Sequence, residues 1–276
     1  MHQSFDLSGH TALITGAAGL LGCEHASALL SSGATVILTD VNHTALESTK
    51  SRLIEAHNSS NVLTCSMDVT DKASIENVFE YIAKLGIYVD ILVNNAAIDP
   101  KVRSDQGMAN QSRFEHFPIS QWCSQLDVGL KGAFLCSQIF GYAMSQSSKG
   151  GVILNIASDL SVISPDQRLY KIDQLPDDQQ PVKPVTYSVI KTGLIGLTRY
   201  LATYWCDKGV RCNALSPGGV YNGQNQQFVD KLTNLIPLSR MASADEYRCA
   251  VQFLCSNASA YMTGQNIVID GGRSLW

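Results

Sequence analysis

Short apolar runs alternate with longer amphipathic segments along this chain. The apolar runs have the length of buried β-strands, and the amphipathic segments have the length of helices. Strict alternation of the two is typical of a parallel sheet covered by helices on both faces. We therefore predict a single α/β domain with a doubly wound, seven-stranded parallel sheet. The predicted strands are 11–15, 35–39, 61–65, 90–93, 151–156, 209–215 and 266–269, and the predicted helices are 20–32, 42–56, 71–85, 122–144 and 185–205.

Two polar stretches interrupt this pattern, at about 99–118 and 159–184. Both follow predicted strand ends, which is where ligands bind in open parallel sheets. Loops of this length in a compact domain are usually functional or disordered. No linker or internal repeat divides the chain, so we predict one domain over residues 1–276 with insertions at these two positions.

The composition argues against several classes of partner. The 276 residues carry 20 basic and 24 acidic side chains, a net charge of −4, whereas nucleic-acid binding normally requires a basic face. No apolar stretch is long enough to span a membrane, and the N-terminus has no signal-peptide pattern. We therefore expect a cytoplasmic protein that binds neither nucleic acid nor membrane.

Cysteine and histidine show no disulfide or metal-binding pattern. None of the eight cysteines forms a C-x-x-C pair or has a zinc-ligand spacing, so we expect them to be reduced and structural. The histidines beyond the N-terminus are scattered and are interpreted as surface or packing residues, which leaves no expected metal site. They are His10, His25, His43, His57 and His116.

A glycine-rich turn follows the first predicted strand and opens the first helix. Gly16, Gly19 and Gly22 permit a tight turn and the close approach of a pyrophosphate to the helix N-terminus, beside Leu20 and Leu21. The same spacing also occurs in an ordinary turn that only packs a helix against a strand. The position after a strand favours the interpretation as a dinucleotide site.

Asp40 ends the second predicted strand, about twenty residues beyond the glycines, where a carboxylate accepts hydrogen bonds from ribose hydroxyls. It would repel the 2′-phosphate of NADP, and Ala17 and Ala18 offer no compensating positive charge. We therefore predict NAD as the cofactor, the alternative for Asp40 being a solvated turn residue. Further cofactor contacts are expected at strand ends. Asp68-Val69 would contact the adenine, and the small residues at 95–97 would let the cofactor lie close to the backbone. The residues of these contacts are Val41, Asp68, Val69, Asn95, Ala96 and Ala97.

Tyr187 and Lys191 are four residues apart on a predicted helix and therefore share a face. An ammonium beside a phenol favours the phenolate, which lowers the tyrosine pKa below its usual ~10. Such a tyrosine exchanges protons near neutral pH. Together with a dinucleotide site, the pair predicts hydride transfer. The alternative is a buried helix tyrosine that merely hydrogen-bonds the lysine.

The chain resembles the short-chain dehydrogenase/reductase family over essentially its whole length. A single Y-x-x-x-K motif has little specificity, but a full set of family landmarks in the correct order is very specific. The landmarks are the glycine turn, Asp40, Asp68, Asn94-Asn95-Ala96, Ser158, Tyr187 with Lys191, Pro217-Gly218 and Asp270-Gly271-Gly272.

The resemblance implies a Rossmann-type fold and a role for each matched residue. Tyr187 would be the acid/base group, Lys191 would lower its pKa and bind the nicotinamide ribose, and Ser158 would hydrogen-bond the substrate oxygen. Cofactor contacts would include Tyr187, Lys191, Pro217, Gly218 and Val220. The family usually pairs subunits through its two long helices, which implies a homodimer or homotetramer here, with a second contact at 267–276.

Three further stretches are similar to a subgroup of oxidoreductases associated with flagellin modification and legionaminic-acid pathways. They are 200–202, 216–224 and 264–270. This similarity implies a secondary alcohol or ketone in a sugar or nucleotide-sugar of surface-glycan biosynthesis. Two alternatives are a 3-oxoacyl-(acyl-carrier-protein) reductase, which would require a basic patch beside the site, and a catalytically weak NAD-binding homologue.

The chain departs from the family pattern at two positions. Leu20 replaces a glycine, which gives the G-x-x-G-x-x-G spacing also found in family members that act on nucleotide sugars. Gly129 stands where the family usually has an asparagine that helps to hold a water in the proton relay. Either the glycine limits proton supply or it makes room for the substrate, and we expect the second.

The distance from Ser158 to Tyr187 is longer than usual in the family, and the excess falls in 159–184, which we interpret as a substrate lid. Tyr170 lies near the usual spacing, but Gln174 rather than a lysine follows it. Three cations of this segment have two possible roles. They would bind a carboxylate or phosphate of the substrate, or they would be solvated charges of a loop, and the solvated loop is favoured. They are Arg168, Lys171 and Lys183.

Overall fold

The computed structural model describes residues 3–98 and 112–276. Its seven strands form one parallel sheet in the order β3-β2-β1-β4-β5-β6-β7, so the predicted fold class is confirmed. The strands are β1 (Thr11–Thr15), β2 (Thr35–Asp40), β3 (Val62–Ser66), β4 (Ile91–Asn94), β5 (Gly151–Ile156), β6 (Val210–Pro217) and β7 (Asn266–Ile269).

Helices pack on both faces of this sheet. One helical run contains two π-helical turns, Asp127–Lys131 and Ser137–Gly141, which separate α4, α5 and α6. The helices are α1 (Leu20–Ser31), α2 (His43–His57), α3 (Lys72–Lys84), α4 (Ile119–Leu126), α5 (Gly132–Cys136), α6 (Tyr142–Gln146), α7 (Val185–Tyr204), α8 (Gln226–Thr233) and α9 (Arg248–Cys255).

Two hydrophobic cores lie on the two faces of the sheet. Successive side chains of a strand point to opposite faces of the sheet. Because both faces are covered, the interior of β1 is a continuous apolar run. Ile14 belongs to the core that includes Leu29 and Leu254, whereas Leu13 belongs to the core that includes Phe140 and Met144. The sheet is therefore fixed from both sides, which holds the strand ends in place.

The segment between β6 and β7 was not predicted to be helical. It contains α8 and α9, and α9 packs against α1. Each of these helices has only eight residues, which is too short for an apolar periodicity to be distinguished from a loop. The 159–184 insertion contains three short 3₁₀ turns, at Asp159–Ser161, Gln167–Tyr170 and Asp177–Gln179. Most of the first predicted insertion, 99–111, lies outside the described residues.

The parallel pairing brings the carboxyl ends of the strands to one edge of the sheet. The strand order changes direction between β1 and β4, where Ile14 pairs with Val93. In open α/β sheets, ligands bind at this change of direction. The predicted cofactor and catalytic residues follow β1, β2, β3, β4, β5 and β6 at this edge, or lie on α7. Each helix that the structure describes is too short or too polar to span a membrane.

Candidate active site

The glycine turn joins β1 to α1 in a tightly packed form. Gly16 has a φ of 62°, a left-handed conformation that favours glycine, and a Cβ on Gly22 would lie 2.3 Å from the Gly16 carbonyl oxygen. Gly19 is the N-cap of α1 and supplies no side-chain hydrogen bond to the helix. The first backbone N–H groups of α1 therefore suit the phosphate oxygens of a dinucleotide.

Thr15 and Asn95 fix the turn to the end of β4. The Asn95 side-chain amide donates to the carbonyl oxygens of Thr15 and Gly16, at 2.9 and 3.0 Å. The Thr15 hydroxyl oxygen accepts from the backbone N–H groups of Asn95 and Ala96, both at 3.0 Å. The structure thus brings Asn95 and Ala96, two of the expected cofactor residues, to the glycine turn, and it adds Thr15, which no sequence pattern indicated.

Asp40 lies beside the same turn. Its carboxylate accepts from the backbone N–H of Ala18 at 3.3 Å and from that of Asn42 at 3.0 Å. The carboxylate is half-buried, and the following Val41 side chain is exposed. A fixed negative charge at the end of β2 therefore borders the region where the sequence pattern places the adenosine ribose.

Asp68 and Val69 follow β3 and differ in their surroundings. Asp68 is exposed, and its carboxylate accepts from both the backbone and the hydroxyl of Thr70, each at 2.8 Å. Val69 is buried, and a Cβ on Gly132 would lie 2.7 Å from its side chain. Asp68 therefore shapes the turn, while Val69 packs against α5.

The end of β6 and the residues after it lie at the same carboxyl edge of the sheet, on the opposite side of the β1–β4 boundary from Asp40. The Gly218 N–H donates to the carbonyl oxygen of Ile269 at 2.8 Å, and a Cβ on Gly218 would lie 2.7 Å from the Asp270 Cα. Val220 forms a bridge with Ala242. This backbone is held closely enough that only a glycine fits after Pro217.

His25 is a fully buried residue of α1. Neither ring nitrogen has a hydrogen-bond partner among residues 3–98 and 112–276. Burial lowers the His25 pKa from 6.5 to about 4. The ring is therefore neutral in the folded protein near pH 7, and the unfolded chain binds the proton first as the pH falls.

We expect acid to destabilise the protein through His25. The contribution of the neutral ring to the free energy of unfolding is complete above pH 6.5 and is lost as the pH falls from there to about 4. Each pH unit in this interval lowers the free energy of unfolding by at most about 1.4 kcal/mol. Urea unfolding at pH 7.5 and pH 5 should show a smaller pH effect in His25→Phe than in the unaltered protein. The exposed His43→Gln variant serves as the control, and an equal pH effect in all three proteins would contradict this account.

Tyr187, Lys191 and Ser158 come together at the carboxyl edge. Lys191 is 6% exposed, and its ammonium donates to the Ile156 carbonyl oxygen at 2.8 Å, two residues before Ser158. The same ammonium lies 5.7 Å from the centre of the Tyr187 ring. Ser158 is buried, and the 3₁₀ turn that follows it packs against α7. Lys191 thus joins the tyrosine helix to the strand that carries the serine.

A buried ion pair fixes Ser158 and was not anticipated from the sequence. The Ser158 hydroxyl donates to one carboxylate oxygen of Asp159 at 2.8 Å, and Arg273 donates to the other at 2.7 Å. Both charged side chains are buried, at 3% and 8% exposure, so each requires the other. The last residues of the chain therefore hold the serine in position.

Gly129 makes room for a side chain of the protein rather than for a substrate. It is buried in the π-helical turn after α4, and a Cβ there would lie 2.7 Å from Cγ2 of Ile190. Ile190 lies between Tyr187 and Lys191 on α7. The space beside Gly129 is therefore filled by isoleucine, and our expectation that it admits the substrate is wrong.

The 159–184 insertion packs against α8. Leu169 joins the small core that includes Leu232, and the Tyr170 ring lies 5.7 Å from the Phe228 ring. The Lys231 ammonium donates to the Lys171 carbonyl oxygen at 2.9 Å. Tyr170 therefore belongs to this contact and is not part of the catalytic group.

The three cations of the insertion have different surroundings. Arg168 is exposed and pairs with Asp166 at 2.7 Å, and the exposed Lys171 lies 3.4 Å from Asp177. The Lys183 ammonium, by contrast, lies 3.9 Å from the centre of the Tyr187 ring. The interpretation as a solvated loop thus suits Arg168 and Lys171, but not Lys183.

Among the described residues, no group of His, Cys, Asp and Glu could hold a metal ion.

Comparison with known proteins agrees with this geometry. Residues 10–170 match the short chain dehydrogenase family, and residues 179–274 match the family described as enoyl-(acyl carrier protein) reductase. The chain therefore belongs to the short-chain dehydrogenase/reductase family. It is an oxidoreductase of the kind that binds a nicotinamide nucleotide and acts on small molecules.

Several relatives act on polyols. A D-threitol dehydrogenase of Mycolicibacterium smegmatis is 32% identical over 98% of this chain and 95% of its own, and an NAD-dependent glycerol dehydrogenase of Listeria innocua is 30% identical over 99% and 97%. A 3-oxoacyl-[acyl-carrier-protein] reductase of Aquifex aeolicus is 31% identical over 96% and 98%. The structure of a gluconate 5-dehydrogenase from Burkholderia cenocepacia with NADP and tartrate matches with a TM-score of 0.84, at 25% identity over 99% and 98%.

Proposed function

We propose that the protein transfers a hydride between NAD and a secondary alcohol of a polyol or sugar. The observation that carries this proposal is the position of Lys191, which joins the Tyr187 helix to the strand before Ser158 at the sheet edge that also holds the glycine turn. The polyol specificity of several relatives supports the substrate class.

In the proposed mechanism, Tyr187 is the acid/base group. During oxidation its phenolate accepts the proton of the substrate hydroxyl, and during reduction its phenol returns that proton to the oxygen. The Lys191 ammonium would stabilise the phenolate and would bind the nicotinamide ribose. Ser158 would position the substrate oxygen by exchanging its hydrogen bond to Asp159 for one to that oxygen. Bound NAD supplies the hydride chemistry.

A substrate panel tests this proposal. Oxidation of threitol, glycerol, longer polyols, sugar acids and nucleotide sugars should be followed with NAD⁺ and with NADP⁺. We expect turnover of a polyol or sugar hydroxyl with NAD⁺. Turnover of nucleotide sugars alone would support the narrower proposal of surface-glycan biosynthesis. Failure of the whole panel, in a protein that still binds NAD(H), would contradict the proposed function.

The similarity to a 3-oxoacyl-[acyl-carrier-protein] reductase favours a second candidate function. This candidate requires a basic surface to bind the acidic carrier. Arg168 and Lys171 of the insertion each have an acidic neighbour, which reduces the positive charge that the insertion offers. We therefore expect reduction of acetoacetyl thioesters to be much slower than polyol oxidation. Faster reduction of the thioester would favour the second candidate.

We expect NAD(H) to bind at least ~10-fold more tightly than NADP(H), a difference of about 1.4 kcal/mol. The Asp40 carboxylate at the end of β2 would repel a 2′-phosphate. Fluorescence titration of both reduced nucleotides should show a smaller difference in affinity between NADH and NADPH in Asp40→Ala than in the unaltered protein. Asp68→Ala is the matched control, because the Asp68 carboxylate accepts from Thr70 and its expected contact is with the adenine, which both nucleotides share, so this variant should keep the preference. Equal affinities in the unaltered protein would refute the assignment.

We propose that the protein assembles as a homodimer or homotetramer through α4–α6 and α7. Exposed aromatic and aliphatic side chains on these helices support this, because such residues are enriched at interfaces. They are Phe134, Tyr142, Val189, Tyr200 and Tyr204. The exposed Trp276 is proposed as an anchor for a second contact. Light scattering at micromolar concentration should give a dimer or tetramer mass, and a monomer mass would refute the proposal.

A further inference from the structure

A second ammonium group lies against the Tyr187 ring, besides that of Lys191. The Lys183 ammonium is 3.9 Å from the ring centre, closer than the 5.7 Å of Lys191. We propose that Lys183 is a positioning residue that acts through Tyr187, stabilising its phenolate from the insertion. This inference rests on the proposed acid/base role of Tyr187 and extends it to a residue outside the family motif.

The backbone around Lys183 is held in place, which fixes the origin of its side chain. Pro181 and Pro184 flank the segment, and a residue before a proline is restricted to extended conformations. The Lys183 N–H donates to the side-chain oxygen of Gln167 at 2.8 Å, and the Val182 N–H donates to the Ser112 hydroxyl at 3.1 Å. Lys183 is half-buried, whereas Arg168 and Lys171 are exposed. The contact with Tyr187 is therefore built into the fold.

The placement of the ammonium over the ring affects the two forms of tyrosine differently. A cation is attracted to the face of any aromatic ring. Ionisation of the phenol adds a negative charge that spreads into the ring, so the attraction is stronger for the phenolate. An opposite charge within about 4–6 Å favours an ionised acid by about 1–3 pH units, and partial solvation of Lys183 places its effect near the lower limit.

Several charged groups in the elements packed against α7 have hydrogen-bond or ion-pair partners away from Tyr187. The elements that pack against α7 include β5, β6, α4, the π-helical turn after α4 and the turn after β5. Among the described residues of these elements, Asp127 pairs with Lys131 at 3.0 Å, Asp159 pairs with Arg273, and Arg211 donates to backbone carbonyl oxygens. His25 is neutral near pH 7. The charges that lie directly against the Tyr187 ring in the described part of the chain are the ammonium groups of Lys183 and Lys191.

This arrangement gives the 159–184 insertion a part in the acid–base chemistry. Gly129 carries no side chain that could act on Tyr187, and Ile190 fills the space beside it. Lys183 adds a positive charge at the same tyrosine from the insertion. A change in the insertion that displaces Lys183 would therefore alter the ionisation of Tyr187 without altering the Tyr187–Lys191 pair.

The test compares pH profiles of kcat/KM for polyol oxidation. In Lys183→Met, the acidic limb should move up by about one pH unit, so that kcat/KM falls about 10-fold at low pH and recovers at high pH. Lys183→Arg should restore the original profile. Lys171→Met, the matched control from the same insertion, should leave the profile unchanged. A loss of equal size at every pH, or no change at all, would overturn the proposal.

A second measurement separates this inference from the proposed function. The ultraviolet absorbance difference between the unaltered protein and Tyr187→Phe reports phenolate formation at Tyr187, whether or not a substrate is found. Lys183→Met should raise the midpoint of that titration, and an unmoved midpoint would overturn the inference. Full activity of Tyr187→Phe would instead refute the proposed function.

Discussion

Replacement of Tyr187 by phenylalanine should lower kcat by about 10²–10⁴-fold, the usual contribution of a general acid–base group. The phenyl ring keeps its packing on α7 and its contact with the Lys183 ammonium, but it has no exchangeable proton. The affinity for NADH should therefore stay within a few-fold of the unaltered protein. Steady-state kinetics on the best polyol and NADH fluorescence titration measure the two quantities separately.

The matched control for this experiment is Tyr170→Phe. Tyr170 lies near the usual family spacing from Ser158, but its ring packs on Phe228 of α8. Loss of its hydroxyl should leave kcat unchanged. Full activity of Tyr187→Phe, or a comparable loss in Tyr170→Phe, would contradict the assignment of the acid/base role.

Replacement of Gly129 by asparagine, the usual family residue, should lower both activity and stability. The first side-chain atom would lie 2.7 Å from the Ile190 side chain, and overpacking of this kind costs about 1–3 kcal/mol. Ile190 stands between Tyr187 and Lys191, so its displacement should also disturb the catalytic pair. We expect at least a ~10-fold fall in kcat/KM and a lower melting temperature.

The double variant Gly129→Asn/Ile190→Ala tests the cause of that loss. Removal of most of the isoleucine side chain opens the space that asparagine requires, so the double variant should be more active and more stable than Gly129→Asn alone. A single Gly129→Asn variant with a raised rate would instead show that the missing asparagine limits proton supply.

The sequence predicted the parts of this protein that depend on local pattern. The parallel sheet follows from apolar runs that are buried on both faces, and the glycine turn follows from the position of three glycines between a strand and a helix. Asp40 was placed correctly at the end of β2 because strand length and chain order determine that position. Its proposed preference for NAD remains a prediction.

Contacts between distant segments could not be predicted in the same way. Asp159 and Arg273 are 114 residues apart, and no local pattern joins them. The contact of Ile190 with Gly129 depends on how α7 packs against the π-helical turn, which an amphipathic pattern does not specify. Lys183 reaches Tyr187 because the insertion is held by Gln167 and Ser112, and such loop contacts leave no periodic signal.

Transfer of deuterium from a labelled polyol to the nicotinamide ring is the most direct test of the proposed hydride transfer. The protein would be incubated with NAD⁺ and its best polyol substrate, deuterated at the carbinol carbons, and the reduced cofactor would be examined by NMR. We expect deuterium on the nicotinamide ring with the unaltered protein and at most a trace with Tyr187→Phe over the same time. Reduced cofactor without deuterium, or equal transfer by Tyr187→Phe, would contradict it.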